Sequence, residues 1–305
     1  MVIVFGSVNL DLSVPVRQAP GPGETVLGGA LLMGAGGKGA NQAHAARRYG
    51  AAVALVGAVG DDSLAASALA SLEAAGVDLT ALRRVTGMRT GAALITLESQ
   101  GENRIAVAPG ANDAACADDV SDAALDAAKV LLLQIEVPTA QSGALARRAH
   151  ARGCRVMLNA APMPAGDALD LEAIDVVIVN RIELDQLADA SGLAADVPQA
   201  RALDLARRRR CDVLLTLGHE GALLATQGGA VHAVPGHRID VVDSTGAGDT
   251  FAGVYAAACA AGQDIAAALL AANAAAALCC MRRGAQDAQP ARVEIDAFLK
   301  TGEAA

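Results

Sequence analysis

Short apolar runs that alternate with helix-like segments constrain this chain of 305 residues more than any other feature. The runs are almost continuous in Val, Leu and Ile, which is typical of parallel strands that helices cover on both faces. We predict strands at Val2–Phe5, Val53–Val56, Val130–Leu133, Arg155–Leu158, Val176–Val179 and Val213–Leu217. We predict helices between them at residues 40–49, 63–75, 139–152, 182–190 and 197–209. Such repeated strand–helix units favour an α/β fold with a central, mostly parallel sheet.

Two regions carry strand propensity without an intervening helix. Residues 12–35 are rich in Pro and Gly around a strand-like Glu24–Leu27, and residues 90–108 read as a hairpin with a turn at 99–101. Together they predict a small antiparallel sheet that acts as a lid and excludes water. The alternative is two ordinary surface hairpins. We expect residues 1–305 to form a single domain that carries this lid.

Composition limits the partners of the chain. The net charge of −9 argues against nucleic acid or an anionic membrane as the main partner, and aromatic residues, at 2%, offer little for base stacking. The Ala-rich stretch 256–280 is interrupted by Gln263, Asp264 and Asn273, which favours two buried helices over a membrane span. The N-terminus lacks the pattern of a signal peptide, and the six cysteines form no C-x-x-C pair. We therefore expect a reduced, cytoplasmic protein.

The most informative motif is Asp243–Phe251, which we expect to join a strand at Ile239–Val242 to a helix at 250–261. The small residues Gly246, Ala247 and Gly248 let the backbone approach a ligand, and amides at a helix N-terminus favour an anion. Asp249 follows directly. Phosphoryl transfer needs both parts: amides for the charge of the transferring group, and a base for the attacking hydroxyl. The alternative is a Gly-rich turn in which Asp249 caps the helix.

A second Gly-rich segment, Gly34–Gln42, resembles two nucleotide-binding motifs without settling on either. It lacks the first Gly and the final Ser or Thr of a Walker loop. It does satisfy the spacing of a dinucleotide fingerprint, with Asp61 and Asp62 near the distance of a ribose-binding acid. A nicotinamide-dependent oxidoreductase is therefore an alternative, although it leaves Asp249 unexplained. Lys38 and Asn41 suit the recognition of hydroxyl groups at least as well.

Polar residues follow several predicted strands, at the edge where open α/β sheets bind ligands. They are Asn9, Asp11, Glu136, Asn180 and Glu183, and Gly218 follows a predicted strand at the same edge. An amide and a carboxylate two residues apart, as in Asn9 and Asp11, can point the same way and contact vicinal hydroxyls. The alternative for this pair is an Asx-turn. Glu183 is either a water-mediated ligand of Mg²⁺ or an ordinary acid in the first turn of a helix.

These segments together resemble the ribokinase family of carbohydrate kinases, in the family's order and over nearly the whole chain. The matching segments are Gly6–Asp11, Pro22–Thr25, Gly36–Ala43, Gly57–Asp62, Thr90–Gly91, Gly110–Asn112, Thr216–Gly218, Asp243–Phe251 and Arg282–Gln286. The resemblance implies a three-layer α/β/α fold with a small β-sheet lid. It also implies ATP-dependent phosphorylation of a small sugar. Within the family, Lys38 and Asn41 point to ribose, which would give ribose 5-phosphate and ADP. Kinases of 2-deoxyribose, fructose or a nucleoside such as adenosine remain alternatives.

The same resemblance implies a role for each matching residue. Asp249 would be the catalytic base, and the anion hole would comprise Gly246, Ala247 and Gly248. The sugar would contact Asn9, Asp11, Gly37, Lys38, Asn41 and Glu136. The nucleotide and its Mg²⁺ would be surrounded by Asn180, Glu183, Thr216, Gly218, Gly221 and Asn273. An activating K⁺ would be held, mostly through backbone carbonyls, by Asp243, Thr245, Cys279, Arg282 and Gly284.

Two positions depart from the family pattern. Ala288 stands where a serine is common and removes one hydroxyl ligand of the K⁺ site, and Ser244 stands where a threonine is common. The resemblance further implies a homodimer that forms through the lid. A sugar-binding regulator without catalysis is a third alternative, which the Gly-Ala-Gly-Asp setting of Asp249 makes less attractive.

Overall fold

The computed structural model describes residues 1–98, 103–163, 170–193 and 197–301. The strands, in chain order, are β1 (Val2–Phe5), β2 (Asn9–Val16), β3 (Leu32–Gly36), β4 (Val53–Gly60), β5 (Leu82–Val85), β6 (Gly91–Glu98), β7 (Asn103–Ala108), β8 (Val130–Leu133), β9 (Arg155–Asn159), β10 (Val176–Val179), β11 (Asp212–Thr216), β12 (Gly221–Ala225) and β13 (Val231–Pro235). The helices are α1 (Lys38–Arg48), α2 (Ser63–Ala75), α3 (Asp122–Ala127), α4 (Thr139–His150), α5 (Arg181–Ala190), α6 (Pro198–Arg209), α7 (Ala247–Ala260), α8 (Ile265–Cys280) and α9 (Arg292–Thr301).

A large sheet forms the middle layer of the molecule. Within the described residues its order is β13-β12-β11-β10-β9-β8-β1-β4-β5, and it is parallel from β11 to β5. The last two strands, β12 and β13, are antiparallel to their neighbours. Side chains alternate across the sheet: Val2 and Val4 pack under α1, α2, α7, α8 and α9, whereas Ile3 and Phe5 pack under α3 to α6. The predicted three-layer α/β/α fold is confirmed.

The six buried strands and the five helices predicted between them are all present, with ends that coincide with the prediction or shift by up to four residues. Two other predicted strands are wrong. Ile239–Val242 is irregular, because the N–H groups of Val242 and Asp243 both donate to the Cys280 carbonyl rather than to a neighbouring strand. Glu24–Leu27 is also irregular, in a segment that Pro and Gly interrupt, and Leu32–Gly36 pairs with β2 instead.

The small sheet has the order β3-β2-β6-β7 and stands at the carboxyl edge of the large sheet. Its outer pairs are antiparallel, as predicted, but its central pair, β2 with β6, is parallel. The physical reason is that β2 continues from β1 and β6 follows β5, so that both strands leave the same edge of the large sheet. The hairpin of β6 and β7 is confirmed, and the turn predicted at 99–101 lies outside the described residues.

Small side chains set the distance between α1, α7 and α8. The Ala-rich stretch forms the last two of these helices, separated at Gln263 and Asp264 as predicted. Gly253 in α7 lies so close to α1 that an added Cβ would stand 2.4 Å from the Gln42 carbonyl oxygen and 2.8 Å from the Ala45 Cβ. In the described part of the chain, no helix is both long and apolar enough to span a bilayer.

We predict that Gly253→Ala destabilises the fold, because the methyl group meets the backbone of α1 rather than a flexible side chain. Overpacking of this kind costs roughly 1–3 kcal/mol. Gly143→Ala in α4 is the matched control, since its Cβ would meet only the end of Arg147, at 3.6 Å. That control should gain up to about 1 kcal/mol from helix propensity. Thermal unfolding of both variants measures the difference, and equal melting temperatures would contradict the prediction.

Candidate active site

The candidate site lies below the small sheet, where the N-termini of α1 and α7 meet. A glycine precedes each of these helices. Gly37 precedes α1 with φ 88°, and Gly246 precedes α7 with φ 73°. Both values lie in the left-handed region that favours glycine. A Cβ on Gly37 would also stand 2.8 Å from the Asn9 amide nitrogen, so the loop packs directly on the beginning of β2. The backbone thereby brings the first turns of α1 and α7 to the same place.

A cavity of about 240 Å³ opens between these helix ends and the carboxyl ends of β9, β10 and β11. Its lining contains many of the predicted site residues, although they come from distant parts of the chain. They are Lys38, Asn180, Glu183, Thr216, Gly246, Gly248 and Asp249. Asn159, Ala161, Ile178, Val179 and Ser244 complete the lining. The structure thus collects both Gly-rich motifs and three strand ends around one space.

The carboxylate of Asp249 lies in the first turn of α7 and is only 7% exposed. Asn41 Nδ2 donates a hydrogen bond to its Oδ2 at 3.0 Å, and Gln42 Nε2 donates to its Oδ1 at 2.9 Å. The capping alternative is not observed, since the cap of α7 is Gly246 and makes no side-chain hydrogen bond. A buried carboxylate that receives amide donors on one side and faces a cavity on the other is a suitable proton acceptor.

The three residues of the predicted anion hole do not face the cavity equally. Gly246 and Gly248 line it, whereas the N–H of Ala247 donates to the Ser244 carbonyl at 3.2 Å. The helix begins at Ala247, three residues earlier than predicted, so Gly246 is its cap and Gly248 lies in its first turn. Amides at these positions lack intrahelical acceptors and stand at the positive end of the helix dipole. They therefore provide an anion site directly beside Asp249.

A group of polar side chains lies between the small sheet and α1. Asn112 Nδ2 donates to Asn9 Oδ1 at 2.8 Å, which fixes the Asn9 amide at the base of β2. Glu136 accepts hydrogen bonds from the Ser7 hydroxyl at 2.6 Å and from the Lys38 amide at 3.0 Å. These contacts hold the predicted sugar-binding loop segments against each other.

Asp11, on β2, is placed in an unfavourable electrostatic setting. Burial, followed by the nearby charges of Glu136 and Asp249, raises the pKa of its carboxyl group to about 6. Lys38 is the nearby cation: Asp249 in the first place, and also Glu136 and Glu183, raise the pKa of its ammonium group and keep it charged. Three carboxylates around one ammonium leave a surplus of acceptors, which suits a ligand that brings its own hydroxyl donors.

Of the residues predicted for the nucleotide, Asn180, Glu183 and Thr216 line the cavity, whereas Gly218, Gly221 and Asn273 do not. Asn180 and Glu183 form a reciprocal capping box at the start of α5, with hydrogen bonds of 2.9 and 2.8 Å. The hydroxyl of Thr216 donates to the Val179 carbonyl at 3.3 Å. The tight turn at Gly218 and Gly221, both with positive φ, follows β11. The sixth predicted residue, Asn273, donates from Nδ2 to the Pro235 carbonyl at 2.8 Å.

The position of Glu183 bears on both interpretations that the sequence left open. It is a first-turn acid, and it lines the cavity, where burial raises the pKa of its carboxyl group. A carboxylate in this position is suited to hold Mg²⁺ through water, because Mg²⁺ prefers oxygen ligands and retains much of its hydration.

The residues predicted for K⁺ also converge. Asp243 accepts hydrogen bonds from the N–H and hydroxyl of Thr245 at 2.9 and 2.7 Å, and from the Gly284 N–H at 2.9 Å. The Cys279 thiol lies 3.7 Å from the Thr245 carbonyl oxygen, and the Cys279 carbonyl accepts from the Arg282 N–H. No group of three His, Cys, Asp or Glu side chains forms a metal cluster in the part of the chain that the structure describes. Backbone carbonyls beside one carboxylate fit a hard monovalent cation better than a transition metal.

The family of the chain follows from comparison with known proteins. The family described as pfkB family carbohydrate kinase matches residues 1–292. The chain belongs to this family. The resemblance to ribokinases is confirmed, and the chain is a carbohydrate kinase rather than a nicotinamide-dependent oxidoreductase.

Relatives of the chain extend over its full length. A ribokinase from Bacillus subtilis is 36% identical over 305 residues, covering 98% of this chain and 99% of the relative. A deoxyribokinase from Salmonella typhi is 32% identical over 309 residues and 99% of both chains. The structure of Arabidopsis thaliana ribokinase complexed with ribose and ATP has a TM-score of 0.86 and 30% identity, and covers 98% of both chains.

Several residues of the site were not predicted. Gln42 contacts Asp249 directly, Asn159 and Ser244 line the cavity, and Asn112 holds Asn9. Asn159 ends a buried strand at the carboxyl edge, which is the signal that marks Asn180 and could have identified it. Ser244 and Gln42 lie within the two Gly-rich motifs, and Asn112 ends the family-like segment Gly110–Asn112, which by itself indicates no role for its side chain.

We predict that kcat/KM for the sugar falls about tenfold per pH unit below pH 6, because only ionised Asp11 can accept hydroxyl donors at both of its oxygens. Above pH 6 the carboxyl group is ionised and this dependence levels off. Asp11→Asn should lower kcat/KM, chiefly through the sugar KM, and should remove the acidic limb. Steady-state rates between pH 5 and 8 measure both effects. An acidic limb that persists unchanged in Asp11→Asn would assign it to another group.

Proposed function

We propose that this protein phosphorylates a small sugar with ATP, and that D-ribose, giving D-ribose 5-phosphate, is its preferred substrate. The observation that carries the proposal is the buried Asp249 carboxylate at the start of α7, next to the cavity-facing glycines 246 and 248. The Arabidopsis relative complexed with ribose and ATP supports both substrates.

The transfer requires a proton acceptor and a site for the charge of the migrating group. The C5 hydroxyl oxygen attacks the γ-phosphorus, its proton passes to Asp249, and the bond from phosphorus to the β-phosphate oxygen breaks, so that ADP leaves with the electron pair. The amides of Gly246 and Gly248, together with Lys38, stabilise the charge on the equatorial oxygens of the migrating phosphoryl group. Because this transition state is loose, placing the hydroxyl beside the carboxylate contributes much of the rate.

Two ions complete the proposal. Mg²⁺, held through water by Glu183, would neutralise the phosphate oxygens of the nucleotide. K⁺, held by the Asp243 carboxylate and nearby carbonyls, would add positive charge behind the anion hole. The residue at 288 is alanine and fully buried, so it adds no oxygen ligand to that site.

The sugar-binding end supports ribose over 2-deoxyribose. Asp11 and Asn9 present a carboxylate and an amide, and a substrate that lacks a hydroxyl leaves such groups unpaired. The deoxyribokinase relative from Salmonella typhi makes 2-deoxyribose the second candidate.

A panel of sugars assayed with ATP–Mg²⁺ tests the proposal, and we expect kcat/KM to be highest for ribose, followed by 2-deoxyribose, and lower for fructose and adenosine. Asp249→Asn should reduce kcat for the best sugar by about 10²- to 10⁴-fold, since a general base contributes that much. Binding of ATP, measured by calorimetry, should survive. A higher kcat/KM for another substrate would replace ribose, and near wild-type turnover in Asp249→Asn would refute the role of the base.

The small sheet has an exposed apolar surface on the face that carries Asp11. Leu32, Ile105 and Val107 share this face by strand register, and each is at least half exposed. Exposed apolar side chains that are grouped on one face are typical of an interface. We propose that a second copy of the chain covers it, so that the small sheets form a homodimer and act as lids.

All six cysteines are free, which fits a reducing, cytoplasmic location.

Ile105→Glu should shift the protein toward a monomer, because a charge would be buried in the dimer. Val293→Glu is the control, since Val293 on α9 is also exposed but lies on another surface. Light scattering coupled to gel filtration gives the mass of each. A wild type that is monomeric at micromolar concentration, or an Ile105→Glu variant that remains dimeric, would contradict the proposed interface.

A further inference from the structure

One of the two amides that hold Asp249 belongs to none of the proposed ligand sites. Gln42 is fully buried and lies outside the cavity lining, yet its Nε2 donates to Asp249 Oδ1 at 2.9 Å. The proposed sugar, nucleotide and cation sites do not include it. Its contact with the carboxylate therefore has no explanation in substrate binding.

The side-chain amide of Gln42 is fixed in one orientation. Asn159 Nδ2 donates to the Ile178 carbonyl at 3.3 Å, and because that carbonyl can only accept, Asn159 Oδ1 faces Gln42. Gln42 Nε2 donates to this oxygen at 3.0 Å. On the other side, Gln134 Nε2 donates to Gln42 Oε1 at 2.6 Å. Both ends of the amide are thus specified, and its two N–H donors go to Asn159 and Asp249.

The neighbouring amide, Asn41, is oriented in the same way from another part of the chain. Gln286 Nε2 donates to Asn41 Oδ1 at 3.1 Å, so that Asn41 Nδ2 must face Asp249. The oxygen of Gln286 in turn accepts from the Ser71 hydroxyl. Each carboxylate oxygen of Asp249 therefore receives a donor from an amide whose other end is also hydrogen-bonded. This arrangement restricts rotation of the carboxylate about its bond to Cβ.

We propose that Gln42 is a positioning residue for phosphoryl transfer: it fixes the carboxylate of Asp249 at the angle at which that carboxylate receives the proton of the sugar hydroxyl. This inference rests on the proposed function. A displacement of about 1 Å at a reacting group can cost about 10²-fold in rate. Losing Gln42 should therefore lower kcat while leaving the KM values of both substrates nearly unchanged.

Gln42→Met keeps the shape of the side chain and removes its donors, and we expect kcat to fall by at least about tenfold with sugar and ATP KM within about threefold. Gln289→Met is the matched control. Gln289 is equally buried and also contacts the same helix, where its Nε2 donates to the Asn41 carbonyl at 2.9 Å, but it does not contact Asp249. The control should lose melting temperature and keep kcat within about threefold. Equal kcat losses in the two variants would overturn the inference.

Gln42→Glu provides a pH readout that a purely structural role would not produce. The introduced carboxyl group can donate its proton to Asp249 when neutral, and repels it when ionised. The ratio of variant to wild-type kcat should therefore fall by about tenfold or more between pH 5.5 and 8.5. A ratio that does not change with pH would overturn the inference.

A double-mutant cycle based on melting temperatures tests the contact between Gln42 and Asp249 independently of catalytic activity. The losses caused by Gln42→Met and Asp249→Ala should be less than additive, because the two changes remove the same hydrogen bond. The losses caused by Gln289→Met and Asp249→Ala should add. If the wild type phosphorylates no sugar in the panel, the proposed function fails. Additive losses for Gln42→Met and Asp249→Ala would separately overturn the contact on which the positioning role depends.

Discussion

A buried carboxylate must be paired, and in this protein the close contact between α1 and α7 meets that requirement. Asp249 loses most of its hydration, and an unpaired charge in such a place would cost several kcal/mol. The amides of Asn41 and Gln42 reach it only because Ala45 and Gly253 let the two helices approach within the width of small side chains. The same approach brings the first turn of α7 to the cavity.

Much of the fold could be predicted because the parallel strands are buried on both faces. Val176–Val179 is continuous in apolar residues and was located without error. Ile239–Val242 is also rich in Ile and Val, apart from Asp240, but is irregular, since hydrogen bonding to Cys280 replaced a sheet partner. Propensity describes what a segment tolerates, whereas the choice of partner depends on parts of the chain that a local pattern does not include. The parallel pairing of β2 with β6 is a second example.

The candidate site was predictable to the extent that its residues follow strand ends or glycines. Asn180 and Asp249 belong to such segments and line one cavity. Gln286 lies 245 positions from Asn41 in the sequence, yet it helps to orient the Asn41 side chain through a single hydrogen bond between their amides. Orientation of an amide is decided by which of its neighbours can only accept or only donate, and that information exists only in three dimensions.

One of the proposed site carboxylates belongs to the small sheet, and another is tied to the large sheet. Asp11 belongs to β2, whereas Asp249 is anchored through α1 to the core. Both central strands of the small sheet begin near Asn112, whose side chain hydrogen-bonds to Val8 and Asn9 and lies beside Gly91. In the proposed reaction the sugar would therefore bridge the two sheets, and the distance from its hydroxyl group to Asp249 would depend on how the small sheet is seated on the large one.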